Sequence, residues 1–191
     1  MITLYVVRHG ETLFNVQHKI QGWCDSPLTS MGIQQAKRVH QGLLELPFEQ
    51  AYCSTSERCM DTAQLILEGR DIPLYPKKYL KELNFGEWEG ESEELIFSHQ
   101  PKEIYEIGFA HIGGETLLQL RDRLMEGLRD IVSQGQDGNI LIVTHGGAIR
   151  GMIEAIQPGL LGMKDAINNC SITRIAYDGS FHMLGMNEEI G

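Results

Sequence analysis

The chain has 191 residues and a formal net charge of −10, with 42% hydrophobic and 22% charged residues. This length fits one domain with a sizeable core, and the acidic balance argues against nucleic acid or a membrane surface as partner, since both attract basic patches. Four cysteines without CxxC spacing, no basic leader and no membrane-length apolar run predict a reduced, cytoplasmic protein.

The first third of the chain alternates predicted strands and helices. Residues 2–7 are apolar on both faces, which is typical of a central parallel strand. A helix follows, capped by Thr29 or Ser30. Its apolar residues recur at helical spacing: Ile33, Ala36, Val39, Leu43 and Leu44. Residues 51–53 predict a short strand, and residues 57–67 predict the next helix.

The rest of the chain continues this alternation and ends in a hairpin. The predicted elements are a short strand at 73–75, an amphipathic helix at 115–132, a long strand at 140–143 and a helix at 147–156. Two apolar runs, 172–177 and 181–184, flank Asp178-Gly179, which is a hairpin signal. The pattern predicts an α/β fold: a three-layer α/β/α sandwich whose mixed, mostly parallel sheet has helices on both faces.

Residues 85–113 fit the alternation worst, because aromatic side chains are interleaved there with many acidic ones. The aromatic residues are Phe85, Trp88, Phe97, Tyr105 and Phe109. We predict a small, mostly helical lid inserted into a single domain that spans residues 1–191. A lid at this place would cover the pocket and take part in substrate selection.

One pattern occurs twice: a buried strand, then a histidine, then a glycine. Arg8, His9 and Gly10 follow the first long strand, and His145 and Gly146 follow the second. Ligands of open α/β sheets bind beyond the carboxyl ends of the parallel strands, so we expect both imidazoles to enter one pocket. The arginine beside the first histidine indicates an anionic substrate.

Further motifs follow in order along the chain. They are Glu11, Thr12 and Asn15; Gln21-Gly22-Trp23; residues 25–29 with Gly32; Ser54-x-x-x-Arg58-x-x-x-Thr62-Ala63; Leu80-x-Glu82-x-x-Phe85-Gly86-x-Trp88-Glu89-Gly90; Gly114-Glu115-Thr116; Thr144-His145-Gly146; and Asn169-x-Ser171. In this order they resemble the histidine phosphatase superfamily, which includes the cofactor-dependent phosphoglycerate mutases. The resemblance covers nearly the whole chain.

The resemblance implies phosphoryl transfer through a phosphohistidine, with neither metal nor cofactor. His9 would be the nucleophile, neutral and with one ring nitrogen aimed at phosphorus. Glu82 would protonate the leaving alkoxide and then activate water. Arg8 and Arg58 would hold the phosphate oxygens with forked, permanently charged donors, and His145 would add a third donor if protonated.

The remaining predicted phosphate ligands are Asn15, Gln21, Gly22 and Gly146. Several of these assignments have plainer alternatives in the residues alone. Asn15 and Gln21 could cap a helix or hydrogen-bond a loop instead of binding phosphate, and Arg58 could lie on the surface. Only the resemblance selects Glu82 as the acid over the acidic residues that follow it. Ser54 is expected to hold the loop that carries Arg58.

The choice between mutase and phosphatase depends on basic residues that would bind a substrate carboxylate. Between Lys81 and Arg121 the chain has one, Lys102, and Lys19 stands where the mutases of this family usually have arginine. The prediction is therefore a phosphomonoester hydrolase that either has broad specificity or acts on small phosphorylated metabolites. The alternatives are a phosphoglycerate mutase, a phosphoprotein phosphatase and a phosphate-binding module; exposed sheet edges would also permit a homodimer.

Overall fold

The computed structural model describes residues 1–98, 107–135, 137–162 and 165–190. In these ranges one sheet is formed by β1 (Ile2–Arg8), β2 (Gln50–Ser54), β3 (Leu74–Lys77), β4 (Gly138–Thr144), β5 (Ile172–Tyr177) and β6 (Phe181–Glu188). The helices are α1 (Leu13–Val16), α2 (Ser30–Gly42), α3 (Glu57–Ile66), α4 (Glu94–Ser98), α5 (Leu117–Gln134) and α6 (Gly146–Ile156). No helix in the described ranges is long and apolar enough to cross a membrane.

The sheet is mixed and mostly parallel, as predicted. Its strand order is β3-β2-β4-β1-β5-β6. Strands β3, β2, β4 and β1 run parallel, whereas β5 and β6 form the antiparallel edge. In the β1–β4 pair Arg8 lies opposite Thr144, and the His9 amide continues the ladder to the Thr144 carbonyl at 2.9 Å. Both His-Gly turns therefore leave the same edge of the sheet side by side.

Successive side chains of β4 point to opposite faces of the sheet, so the hydrophobic core has one part on each face. Ile140 and Ile142 pack with α5 and α6 on one face, and Leu141 and Val143 pack with α2 and α3 on the other. This confirms the α/β/α layers. Helix α2 begins one residue past its Thr29 cap, whose hydroxyl accepts the Gly32 amide.

The predicted inner face of α2 is wrong at two positions. Ile33 is 37% exposed and Leu44, beyond the end of the helix, is 45% exposed. The buried side is centred on Gly32, Ala36 and Val39. At about 100° per residue, Ile33 lies roughly a quarter turn from that centre, so it reaches solvent.

The described part of the segment 85–113 contains short helical elements. It contains short 3₁₀ turns at Gly86–Trp88 and Ala110–Ile112 in addition to α4. Phe85 and Trp88 pack edge-on against Phe109, with ring centroids 4.7 and 5.6 Å away, and Phe109 is 2% exposed. The aromatic residues thus anchor this segment in the core. Tyr105, Lys102 and the side chain of Phe97 lie outside the described part of the chain.

Candidate active site

A pocket of about 240 Å³ lies beyond the carboxyl end of β1. Seven of the nine predicted site residues line it: Arg8, His9, Asn15, Gln21, Gly22, Arg58 and Glu82. The other two, His145 and Gly146, do not line it. Gly146 is the first residue of α6 and packs closely against Arg8: a Cβ at this position would lie 3.3 Å from Nε of the arginine.

His9 is buried at the floor of this pocket with a defined tautomer. Its Nδ1 lies 2.8 Å from the Gly10 carbonyl, to which it donates. Burial, followed by the charges of Arg58 and Arg8, holds the His9 pKa well below its ordinary value. The ring is therefore neutral at pH 7, and its Nε2 keeps a lone pair.

His145 lies next to His9, with ring centroids 5.3 Å apart, and is fully buried. Its Nδ1 is 3.0 Å from Nη2 of Arg58, and its Nε2 is 2.9 Å from the Ser54 hydroxyl. Because a guanidinium only donates, Nδ1 must accept and Nε2 carries the hydrogen.

The pKa of His145 is held well below its ordinary value, first by burial and then by Arg58. His145 is therefore neutral in this arrangement and does not supply the positive charge that the sequence suggested. Its two ring nitrogens form hydrogen bonds with Arg58 and Ser54, so His145 helps to hold the Arg58 guanidinium in position. Ser54, expected to hold the Arg58 loop, contacts it directly, since its hydroxyl accepts the Ser56 amide at 3.3 Å.

Arg58 is 1% exposed, which rules out its alternative placement on the surface. Its Nη1 donates to Oδ1 of Asp25 at 2.6 Å and to the Cys24 carbonyl at 2.8 Å, and its Nη2 donates to the Gly22 carbonyl at 2.8 Å. Asp25 also accepts the Glu57 amide at the start of α3, at 2.6 Å. Asp25 thus orients Arg58. It lies inside a recognised motif, but no sequence spacing indicated this pairing.

Each of the two pocket arginines keeps one buried donor without an acceptor. Among the described residues, the buried side-chain nitrogen and oxygen atoms without a partner are Nε of Arg8, Nε of Arg58 and the hydroxyl of Thr173. Arg8 also donates from Nη1 to the Ile167 carbonyl. A buried donor left unpaired costs about 1–3 kcal/mol, so two such N–H groups on pocket-lining arginines favour an oxyanion ligand.

Glu82 lines the pocket with its carboxylate fixed by backbone amides. Oε1 accepts from Leu83 at 2.8 Å, and Oε2 accepts from Gly147, in the first turn of α6, at 2.9 Å. Burial lowers the pKa of Arg8, whereas Glu82 and Glu93 act to raise it, so both carboxylates lie within electrostatic reach of that guanidinium.

The segment that carries Glu82 is held by an arginine that the sequence analysis did not single out. Arg123 donates to the carbonyls of Tyr79, Lys81 and Glu82 at 2.8, 2.9 and 3.1 Å. Its guanidinium also forms a two-pronged ion pair with Glu115, at 2.8 Å for each bond. This clamp fixes where Glu82 enters the pocket.

Glu89 has a different task from Glu82. Its carboxylate accepts the amides of Trp23 at 2.7 Å and Cys24 at 2.8 Å, so it holds the loop that carries Gly22. Gly22 has a φ of +57°, and a Cβ there would lie 2.4 Å from Oε1 of Glu89. Glycine is therefore required at this position by backbone conformation and by space.

Asn15 and Gln21 are turned by a shared threonine. The hydroxyl of buried Thr12 lies 3.1 Å from Oδ1 of Asn15 and 3.0 Å from Oε1 of Gln21. With both amide oxygens facing Thr12, the two NH₂ groups are the donors left for the pocket. Asn169 donates to the His9 carbonyl at 3.0 Å and thereby holds the turn that carries His9. Thr12 was not among the predicted site residues.

Within the described ranges, no group of three or more His, Cys, Asp or Glu side chains could hold a metal ion. The pocket instead joins a neutral histidine, two arginines and a carboxylate at one sheet edge. Such a set can bind a phosphate group and transfer it to an imidazole.

Comparison with known proteins agrees with this arrangement. The family model of the histidine phosphatase superfamily (branch 1) matches residues 4–188, and the chain belongs to that superfamily. It is 35% identical over 152 residues to an adenosylcobalamin/alpha-ribazole phosphatase of Salmonella typhimurium, covering 76% of this chain and 75% of the relative. It is 31% identical to a probable phosphoglycerate mutase of Salmonella paratyphi A, covering 94% and 87%.

The fold is equally well matched among solved structures. YhfR of Bacillus stearothermophilus superposes with a TM-score of 0.89 at 33% identity, over 98% of each chain. The family and fold are therefore shown, and the relatives include both a phosphatase and a mutase.

Proposed function

We propose that this protein is a phosphomonoester hydrolase that acts on small phosphorylated metabolites through a phosphohistidine on His9, without a metal ion. One observation carries the proposal: a neutral His9 faces a pocket in which Arg8 and Arg58 each keep a buried, unpaired Nε–H. The imidazole has the lone pair that attack requires, and the arginines have the donors that the phosphate oxygens require.

In the first step, Nε2 of His9 forms a bond to phosphorus while the bond from phosphorus to the ester oxygen breaks. Protonated Glu82 gives its proton to that oxygen, so the product leaves as a neutral alcohol. Arg8 and Arg58 stabilise the charge on the transferring group. The Nδ1–H bond to the Gly10 carbonyl stabilises the imidazolium-like ring of the phosphohistidine.

In the second step, water attacks phosphorus and the bond to Nε2 breaks. Glu82 takes the proton of the water, which restores its protonated form, and His9 returns to neutrality as inorganic phosphate leaves. The same carboxyl group serves both steps because the alcohol leaves, and water enters, on the side of phosphorus opposite His9.

The charge around the pocket favours hydrolysis over mutase activity. Beyond the two arginines, Lys19 is the basic residue among the described ones that line the pocket, and Glu93 lines it too. A mutase must hold the carboxylate of a phosphoglycerate, and Glu93 opposes that carboxylate by like-charge repulsion. The named mutase relative supports the alternative, so both activities must be assayed.

The test is turnover of a panel of phosphomonoesters in EDTA, with 3-phosphoglycerate plus its bisphosphate primer measured beside it. We expect hydrolysis that survives EDTA and exceeds mutase flux. Rapid quench with ³²P-labelled substrate should trap an acid-labile phosphoprotein that H9A does not form. Dominant mutase flux would overturn the hydrolase assignment, and phosphate binding without turnover would favour the binding-module alternative.

A further inference from the structure

The pocket continues past the phosphate-binding residues along a wall of mixed character. Three apolar side chains, Ile20, Phe85 and Ile96, line it together with the carboxylate of Glu93. The pocket volume of about 240 Å³ is below the roughly 300–1,000 Å³ of pockets for drug-sized ligands, which suits a phosphate group on a short alcohol. The wall therefore faces the alcohol part of the ester.

A carboxylate is an unexpected lining for a pocket that receives a dianion. Glu93 is nevertheless held there by its backbone: its amide donates to the His18 carbonyl at 2.9 Å, beside the paired bonds of Ile20 with Gly90 and Glu91 at 2.7 and 2.9 Å. Its carboxylate lies near the exposed imidazole of His18, with Nδ1 3.8 Å from Oε2 of Glu93. No bidentate arginine partner engages it among the described residues, in contrast to Glu115.

Glu93 is close enough to the phosphate site to influence it. Burial lowers the pKa of Arg8, and the charge of Glu93 opposes that lowering, second only to Glu82. The other cation lining the pocket is Lys19, whose Nζ lies 5.3 Å from the centre of the Phe14 ring. The pocket lining beyond the phosphate-binding residues thus combines the negative charge of Glu93 with the aromatic ring of Phe85 and the aliphatic side chains of two isoleucines.

A negative charge beside an aromatic ring and aliphatic side chains is complementary to an ammonium group. We propose that Glu93 is a specificity-determining residue that selects phosphomonoesters whose short alcohol carries an ammonium group, and rejects those whose alcohol carries a carboxylate. This inference rests on the proposed hydrolase function and names the substrate class of the same pocket. The attraction acts on the alcohol part, while Arg8 and Arg58 hold the phosphate.

Three phosphate esters of matched size separate charge from shape: phosphoethanolamine, propyl phosphate and phosphoglycolate, which end in an ammonium, a methyl and a carboxylate group. For the unaltered protein we expect kcat/KM to fall in that order. In E93Q the ratio of phosphoethanolamine to propyl phosphate should fall about tenfold, and the ratio of phosphoglycolate to propyl phosphate should rise. E94Q removes the same charge from the next, exposed residue outside the pocket and should leave both ratios unchanged.

The outcomes distinguish this inference from the function beneath it. If E93Q alters kcat/KM for all three esters by the same factor, Glu93 is only a counter-charge for Arg8 and the inference is overturned. If the unaltered protein hydrolyses the three esters equally well, the inference fails while the hydrolase function stands. If it hydrolyses none of them, nor any other ester of the panel, the proposed function fails as well.

Discussion

Replacing Asp25 with asparagine tests whether Arg58 depends on its ion pair. Asp25 is 25% exposed on its side chain and Arg58 is 1% exposed, with 2.6 Å between Oδ1 and Nη1. Loss of a partner from a fully buried pair costs about 3–5 kcal/mol, and the exposure of Asp25 reduces this to about 1–3 kcal/mol of unfolding free energy. Urea denaturation measures that loss.

The same substitution should lower kcat/KM by about 10- to 100-fold, because the guanidinium keeps its carbonyl partners but loses the anchor that sets its angle. The assay is hydrolysis of an aryl phosphate, with the exposed D71N as a control for the change in net charge. If Asp25 acts through Arg58, D25N adds little in an R58M background. Losses that multiply in the double variant would refute the reasoning.

Three other predictions concern proton transfer and buried histidines. E82Q should lower kcat/KM for alkyl phosphates far more than for aryl phosphates, because a good leaving group needs little protonation; equal losses of kcat/KM on both would exclude Glu82 as the acid. G147A should show the same leaving-group dependence with a smaller effect, since its Cβ would lie 2.6 Å from Oε1 of Glu82; a uniform loss would contradict this. The pKa of His145 is lower in the folded protein than in the unfolded chain. Below about pH 6.5 the unfolded chain therefore binds more protons than the folded protein. The free energy of unfolding consequently falls as the pH falls toward the folded pKa. In H145Q this pH dependence, measured by urea denaturation from pH 7.5 to 5, should be reduced; an unchanged slope would show that His145 does not titrate on unfolding.

The guanidinium groups of the two pocket arginines are already held in position in the free protein, which favours ligand binding. Asp25, three backbone carbonyls and His145 already hold the guanidinium groups, so little ordering is left for the moment of binding. The buried donors of the two arginines that remain unpaired are their Nε–H groups. A phosphate that accepts them removes a cost already present in the folded protein.

The sequence was sufficient for the features that depend on local pattern. Apolar runs and helical spacing indicated the layers of the fold, and the repeated His-Gly turn indicated one pocket, because parallel strands must end at a common edge. The motif order was sufficient for the superfamily. The inner face of α2 was predicted wrongly at Ile33, because this residue lies about a quarter turn from the centre of the buried side.

Other features were decided only by tertiary structure. Arg58 is buried rather than on the surface because Asp25, Gly22 and His145, all distant in sequence, supply its acceptors. Glu82 and Glu89 differ in role because their carboxylates have different partners. Glu82 accepts the Gly147 amide, whereas Glu89 accepts the Cys24 amide. Charge, tautomer and burial of a polar group depend on partners brought together from distant segments. A local pattern therefore indicates which residues enter the site, and the fold determines what each one contacts there.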